Sequence, residues 1–375
     1  MRFLHTSDWH LGRSLHRADL RDAQAAFLDH LVATAREEKV DAVLVAGDVY
    51  DRAVPPVDAV ALCEEALVRL RETGARVIVI SGNHDSARRL GFSSGLIDAS
   101  GVHLRTRAAT LADPVLLADG HGPVAVYGIP YTEPVAEGER SHSAVFGAAT
   151  ERIRADAARR GVARTVVMAH GWVHGGQASE SERDITVGGV GSVPASLFDG
   201  FGYVALGHLH GQQVITPTMR YSGSPLPYSF SEATHEKGSW LVEIGGDGAV
   251  RAERVPAPVY RRLSVLRGRL ADLLASSSYA KHEEDFVAVT LTDTQRPDQA
   301  MDQLRARFPH VLTLGFEPEG VTIDDRRYGE KVAGKDDLAV ASEFVTHVRN
   351  APPTEAERQL LEEAFEAARE LEGER

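Results

Sequence analysis

The sequence predicts an α/β protein: two sheets packed face to face with helices outside (α/β/β/α), then a small α/β domain and a helical tail. Three observations predict it. In the first half, apolar strand-like runs alternate with amphipathic helix-like runs. In the middle, strand-like runs follow one another with few helices between, which suits a second sheet that is mixed or antiparallel. Five of these runs end on metal-capable side chains, and in α/β sheets functional groups gather at the carboxyl ends of strands.

Taken in order, MRFLHTS reads as the first strand. Residues 19–38 follow as a helix with Ala26, Leu28, Leu31, Val32 and Ala35 at its apolar positions. DAVLVAG is a buried strand, residues 56–72 a helix, and ARVIVIS a further strand. PVAVYGI, RTVVMAH, GYVALGH, QQVIT, GSWLVEI and AVRAERV supply the later strands. Beyond Pro256–Pro258, FVAVTLTD, AMDQLRARF and VLTLGFEP read as strand, helix, strand. A helix over about 336–349 carries Leu338, Ala341, Phe344, Val345 and Val348 on one face. After Pro352-Pro353, Thr354 and Glu357 form a capping box. The last helix has the apolar stripe Leu360, Leu361, Ala364, Phe365, Ala368 and Leu371. The expected domains are 1–256, 257–330 and 331–375.

Bulk properties narrow the class. A chain of 375 residues is too long for one ordinary domain. Its 43% hydrophobic and 25% charged residues suit a soluble globular protein. No run approaches the roughly 18 apolar residues of a membrane helix, and MRFLHTSDWH is not expected to be a signal peptide. The expected location is cytoplasmic. Cys63, the single cysteine, lies in VDAVALCEEALVRL and is expected to be a buried small hydrophobe. A net charge of −13 argues against a generic nucleic-acid coat protein. Part of that charge is local, because residues 350–375 carry eight Glu against three Arg. A dinuclear metal centre would offset more of it.

The five segments are Asp8-Trp9-His10, Gly47-Asp48-Val49-Tyr50-Asp51, Gly82-Asn83-His84-Asp85, His170-Gly171 and Gly207-His208-Leu209-His210. Each alone is weak; five in order, each after an apolar run, indicate a metal site. Mixed carboxylate, imidazole and amide donors without thiolate suit Mn²⁺, Fe or Zn²⁺. A pair of ions needs a shared carboxylate, and Asp48 is the best placed. Two ions about 3.5–4 Å apart can activate a water and clamp an in-line displacement. His84 is then left for proton transfer to the departing oxygen. Asp51 is open to two readings: it accepts from the His84 ring and favours its charged form, or it caps the helix that begins nearby. Trp9, Tyr221 and Tyr228 are expected to pack, although the tyrosines suit base stacking. His5 is expected to be a satisfied sheet residue and His174 a loop or supporting residue. Arg88 and Arg89 suit either phosphate contact or an ordinary helix surface.

This motif set resembles that of the calcineurin-like metallophosphoesterases. RFLHTSDWHLGRSLH, LVAGDVYDRAVPP, VISGNHDS, YVALGHLHGQQ and MRYSGSPLPYSFSE narrow the resemblance to the SbcD family, over roughly residues 1–240. Ser222-Gly223-Ser224-Pro225 with Phe230 and Glu232 is the part least expected in a generic phosphatase. The resemblance implies one ion on Asp8, His10, Asp48 and His210 and another on Asp48, Asn83, His170 and His208, with His84 as the catalytic histidine. A histidine holds the place of Asp51 in archaeal relatives, so its orienting role resembles the phosphatase branch. The implied activity is Mn²⁺-dependent 3′→5′ double-strand exonuclease and single-strand endonuclease action in DNA repair, recombination and replication. The implied partners are DNA and the SbcC coiled-coil ATPase, with a homodimer inside a heterotetramer at the nucleoid. Residues 257–330 would be the capping domain that contacts DNA, and the terminal helices would dock on the ATPase. Two other readings stay open: a phosphatase or small-molecule phosphodiesterase on the same centre, and a scaffold that bridges DNA ends.

Overall fold

Four of the five side chains of the first strand, Arg2–Thr6, are buried, which requires cover on both faces of its sheet. Alternation supplies it. Phe3 points into a core shared with the second sheet, whereas Leu4 points into a core shared with helices. These relations come from a computed structural model that describes residues 1–134, 141–186, 191–319, 334–349 and 352–373. The chain divides into two compact units, Met1–Tyr260 and Arg261–Arg375.

In the first unit, one six-stranded sheet has the spatial order Val250–Pro256, Gly238–Ile244, Arg2–Thr6, Ala42–Ala46, Arg76–Ile80, Val102–Arg105. Its last four strands run parallel, and Gly238–Ile244 is antiparallel to the first strand. The second sheet has the order Gln213–Thr216, Met219–Tyr221, Tyr203–Gly207, Arg164–His170, Gly122–Ile129, Val115–Asp119. Its four central strands are parallel and its two edge strands antiparallel, so it is mixed, as expected. Between the sheets lie Phe3, Leu44, Ile78, Val126, Met168 and Trp240. Burial of each such side chain contributes about 1.5–3 kcal/mol. His5 joins the two layers here, its ring bonded to the Tyr203 hydroxyl at 3.0 Å and the Leu206 carbonyl at 3.1 Å. Burial pushes its pKa down to about 3, so it stays neutral.

Helices Arg21–Glu37 and Val57–Glu72 cover the outer face of the first sheet. In the first of them Phe27 is buried, while Ala26, expected on the apolar face, is only half-buried. Cys63 is buried in this layer. Helix His142–Arg160, not read from the sequence, covers the second sheet. Phe146, Ala149, Ile153 and Ala157 give it a helical stripe. Ser141 caps its start by accepting from the Ala144 N–H at 3.2 Å.

The second unit contains three parallel strands, Leu263–Gly268, Phe286–Leu291 and Val311–Phe316, with Phe286–Leu291 in the middle. The first of these was not anticipated. Helices Leu270–Ala275 and Ala300–Arg307 bury Leu270, Leu273 and Leu304 against them. Helices Asp337–Arg349 and Glu355–Gly373 follow. The Thr354 N–H and hydroxyl both donate to the Glu357 carboxylate, at 2.7 and 2.8 Å, so the capping box forms. The side chain of Leu371, and residues 320–333 of the expected capping domain and tail, lie outside the described residues.

Candidate metal centre

All five motif segments leave the carboxyl ends of parallel strands, and the two facing sheets bring those ends together. The chain must turn sharply there. Asp8, His10, Asp48 and His208 adopt positive φ angles of 53°, 45°, 48° and 107°. Such conformations cost of order 1–3 kcal/mol each and concentrate at functional sites. The motif glycines make room for the turn. A Cβ on Gly82 would strike the Asp48 carboxylate, and one on Gly47 would strike the His170 ring.

The side chains then converge. Ligand atoms of Asp8, His10 and His210 lie within 4.8 Å of one another, as do those of His10, Asp48 and His84, and of Asp8, Asp48 and His170. All of these residues are buried. Asp48 sits in the middle. Its Oδ1 accepts the His84 backbone N–H at 2.8 Å, while its Oδ2 lies 3.7 Å from His10 Nε2 and 3.4 Å from His170 Nε2. On one side His10 Nε2 is 3.1 Å from His210 Nε2. On the other, the Asn83 Oδ1 is 3.0 Å from His170 Nε2 and 3.1 Å from His208 Nδ1. Asp8 accepts the His208 backbone N–H at 3.0 Å.

Tautomers test whether cations fit. The His170 Nδ1–H donates to the Ala46 carbonyl at 2.9 Å. In a neutral ring Nε2 is then a bare acceptor facing two further acceptors, Asn83 Oδ1 and Asp48 Oδ2. Converging lone pairs repel unless a proton or a metal ion lies between them. Without metal a proton serves: burial opposes the charge, but the Asp48 and Asp8 carboxylates lift the His170 pKa to about 9. Burial instead holds His10 and His208 well below the ordinary imidazole value, as neutral donors. Among the described residues, the buried His10 Nδ1 and Asn83 Nδ2 have no hydrogen-bond partner. Burial pushes the Asp8 pKa up to about 6, aided by the nearby Asp48 charge. Clustered carboxylates and neutral imidazoles of this kind suit a dinuclear metal cofactor.

Asp51 departs from both readings of the sequence. The His84 Nδ1–H donates at 2.7 Å to the backbone carbonyl of Asp51, not to its carboxylate. The carboxylate turns toward Arg13 Nε at 3.7 Å and His10 Nδ1 at 3.9 Å. Burial, the largest influence, lowers the His84 pKa instead of raising it. Nor does Asp51 cap a helix, since Val57–Glu72 starts after Pro56. Asp51→Asn preserves the carbonyl, so it should cost well under the about 10²-fold at which loss of a proton-transfer group begins. Comparison of kcat for the variant and the parent checks this; a drop of that size would return the carboxylate to the chemistry.

Other residues resolve simply. Asp85, quoted in a motif without a role, accepts N–H bonds from Val49, Tyr50 and Gly82 at 3.1, 2.9 and 2.9 Å, clamping two motif loops together. Trp9 is core, its indole N–H donating to Thr6 Oγ1 at 3.0 Å. Tyr221 and Tyr228 are buried. His174 is exposed, outside the cluster. Arg89 donates to the Ala53 carbonyl at 2.9 Å. Sequence reading missed Ser181, Glu182 and Lys237. Glu182 accepts the His210 backbone N–H at 2.7 Å. The three lie 29, 28 and 27 positions from His210, so no local pattern marks their link to it.

Residues 1–212 match the calcineurin-like phosphoesterase family, and residues 259–349 match SbcD_C, described as the type 5 capsule protein repressor C-terminal domain. Two solved structures are similar. A protein of Thermus thermophilus is 14% identical with a TM-score of 0.39, over 68% of this chain and 98% of that one. A dimetal phosphatase from Danio rerio is 14% identical with a TM-score of 0.40, over 64% of this chain and 92% of that one.

Proposed function

This chain belongs to the calcineurin-like phosphoesterase family, with an SbcD_C domain fused behind the phosphoesterase domain, and from that premise we propose that it is a Mn²⁺-dependent DNA nuclease subunit of the SbcCD type. The observation that carries the reading is the fusion itself. A dinuclear phosphoesterase centre accounts for hydrolysis, and the second domain distinguishes the chain from a stand-alone phosphatase. The substrate is DNA, cut as a 3′→5′ double-strand exonuclease and a single-strand endonuclease.

Asp8, His10, Asp48 and His210 would hold one ion, and Asp48, Asn83, His170 and His208 the other. When bound, such a pair supplies Lewis-acid activation of water and of the phosphoryl oxygens. The rest belongs to the chain. Asp48 stays ionised between the two halves. The Ala46 carbonyl fixes the His170 tautomer. His84 donates from Nδ1 to the Asp51 carbonyl, so Nε2 is the nitrogen left to exchange a proton with the departing oxygen. Arg13 and Arg183 stand nearby, the latter bonded to the Asn83 carbonyl at 3.4 Å, and bring positive charge for phosphate.

Two surfaces support partners. Val57, Phe92 and Leu96 are 82%, 80% and 81% exposed, and a homodimer within the complex would cover such side chains. In helices 337–349 and 355–373 no described side chain is fully buried, and Leu360 and Val348 are 64% and 57% exposed. Isolated helices of such length are marginal in water, and a coiled-coil ATPase would cover them. No helix of the described residues is long and apolar enough to cross a membrane. A location at the nucleoid follows from the substrate. Truncation after Asn350 should leave metal binding and cleavage by the isolated chain intact and abolish co-purification with the ATPase. A truncated chain that co-purifies undiminished would assign the tail an internal role.

The function is tested by incubating the purified chain and Mn²⁺ with hairpin and nicked DNA, beside a nitrophenyl phosphodiester and monoester. Cleavage of DNA and of the diester is expected. Hydrolysis of the monoester alone would make it a phosphatase, and DNA bound but uncut would make it a scaffold.

A further inference from the structure

The two halves of the cluster are backed differently. His170 is oriented by a neutral backbone carbonyl, that of Ala46. His210 is backed by a buried chain of side chains that ends on an ion pair. The His210 Nδ1–H donates to the Ser181 hydroxyl, and that hydroxyl donates to Glu232 Oε1. The other Glu232 oxygen pairs with the Lys237 ammonium. Lys237 spends its remaining protons on the His210 carbonyl and the Ser224 hydroxyl, each at 2.8 Å. The side chains of Glu232 and Lys237 are 0% and 7% exposed.

A charged pair in such a place is not explained by packing, since apolar residues of similar volume would serve stability as well or better. Its geometry has one directional consequence. With a carboxylate at the far end, the proton between Ser181 and His210 stays on Nδ1, so Nε2 keeps its lone pair toward His10 Nε2, 3.1 Å away. Carboxylate backing also makes an imidazole a more basic donor. Lys237 neutralises Glu232, so the carboxylate polarises the relay without becoming a competing ligand. Glu182 holds the same histidine from the backbone side.

We propose that Glu232, acting through Ser181 and balanced by Lys237, is a positioning residue that sets the tautomer and donor strength of His210 and so selectively strengthens the metal site built on Asp8, His10 and His210. The inference rests on the two-ion reading above. Among the described residues, the site on Asn83, His170 and His208 has no such side-chain relay and is the internal control.

The test is calorimetric titration of Mn²⁺ into the metal-free full chain, its Glu232→Gln variant and its Ser181→Ala variant. Co²⁺ absorption spectra report the ligand field, and thermal unfolding of each metal-free protein monitors the fold. The parent should bind two equivalents. In Glu232→Gln one equivalent should weaken about 10–100-fold, the usual cost of losing such a supporting contact, while the other is unchanged. One of two Co²⁺ bands should shift. Ser181→Ala breaks the relay and leaves the ion pair in place, so it should weaken the same equivalent even where Glu232→Gln proves unstable. Two equivalents at parental affinity in the variants, or equal weakening of both, would overturn the inference. A parent that binds fewer than two ions would instead overturn the two-ion reading.

Discussion

Replacement of Asp48 by alanine is expected to remove both metal ions together, and with them phosphodiester cleavage. Asp48 Oδ1 is committed to the His84 N–H at 2.8 Å, and Oδ2 is the oxygen that faces histidines of both halves. Burial alone would raise its pKa, but the facing histidines, His170 first among them, hold it well below the ordinary carboxylate range. The group is therefore a permanent anion at the centre of the site. Lewis-acid assistance is worth several kcal/mol of transition-state stabilisation, and each 1.4 kcal/mol or so is tenfold in rate. The loss should exceed about 10³-fold. His10→Ala, which touches one half, should weaken mainly one ion. Mn²⁺ titration of both variants separates these outcomes; two equivalents retained by Asp48→Ala would show that another group bridges.

His84→Gln is expected to keep both ions and lose turnover by about 10²–10⁴-fold, the range for removal of a proton-transfer group. Its ring stands edge-on to His10 with centroids 4.6 Å apart, close enough that a ligand role is the natural alternative. The hydrogen bond to the Asp51 carbonyl favours proton work, because it fixes one nitrogen and leaves the other to exchange a proton. The loss should be largest on esters with poor leaving groups. Metal content measured beside kcat decides the matter: if both fall together, His84 is a ligand.

Much of this was legible in the sequence, for reasons that particular residues make plain. Strands such as Ala42–Ala46, with all five side chains buried, read directly as apolar runs between polar turns. The metal-capable residues were visible because each follows such a run, and the sheet topology brings them to one place. The helix His142–Arg160 escaped notice because its apolar stripe is short side chains, three of its four members being no larger than isoleucine and two being alanine, diluted by arginines. Strand Leu263–Gly268 was hidden among Arg261, Arg262, Arg267 and Arg269. The Asp51 contact could not be read because a sequence names a residue and not the atom that faces its neighbour. The Ser181–Glu232 contact joins positions 51 apart, and only the fold creates it.

Anomalous diffraction at the manganese edge, from crystals of the full chain soaked in Mn²⁺, tests the dinuclear centre most directly. Two peaks about 3.5–4 Å apart are expected on either side of the Asp48 carboxylate. One should fall within bonding distance of Asp8, His10 and His210, and the other of Asn83, His170 and His208. A single peak, or a pair that does not share Asp48, would contradict it.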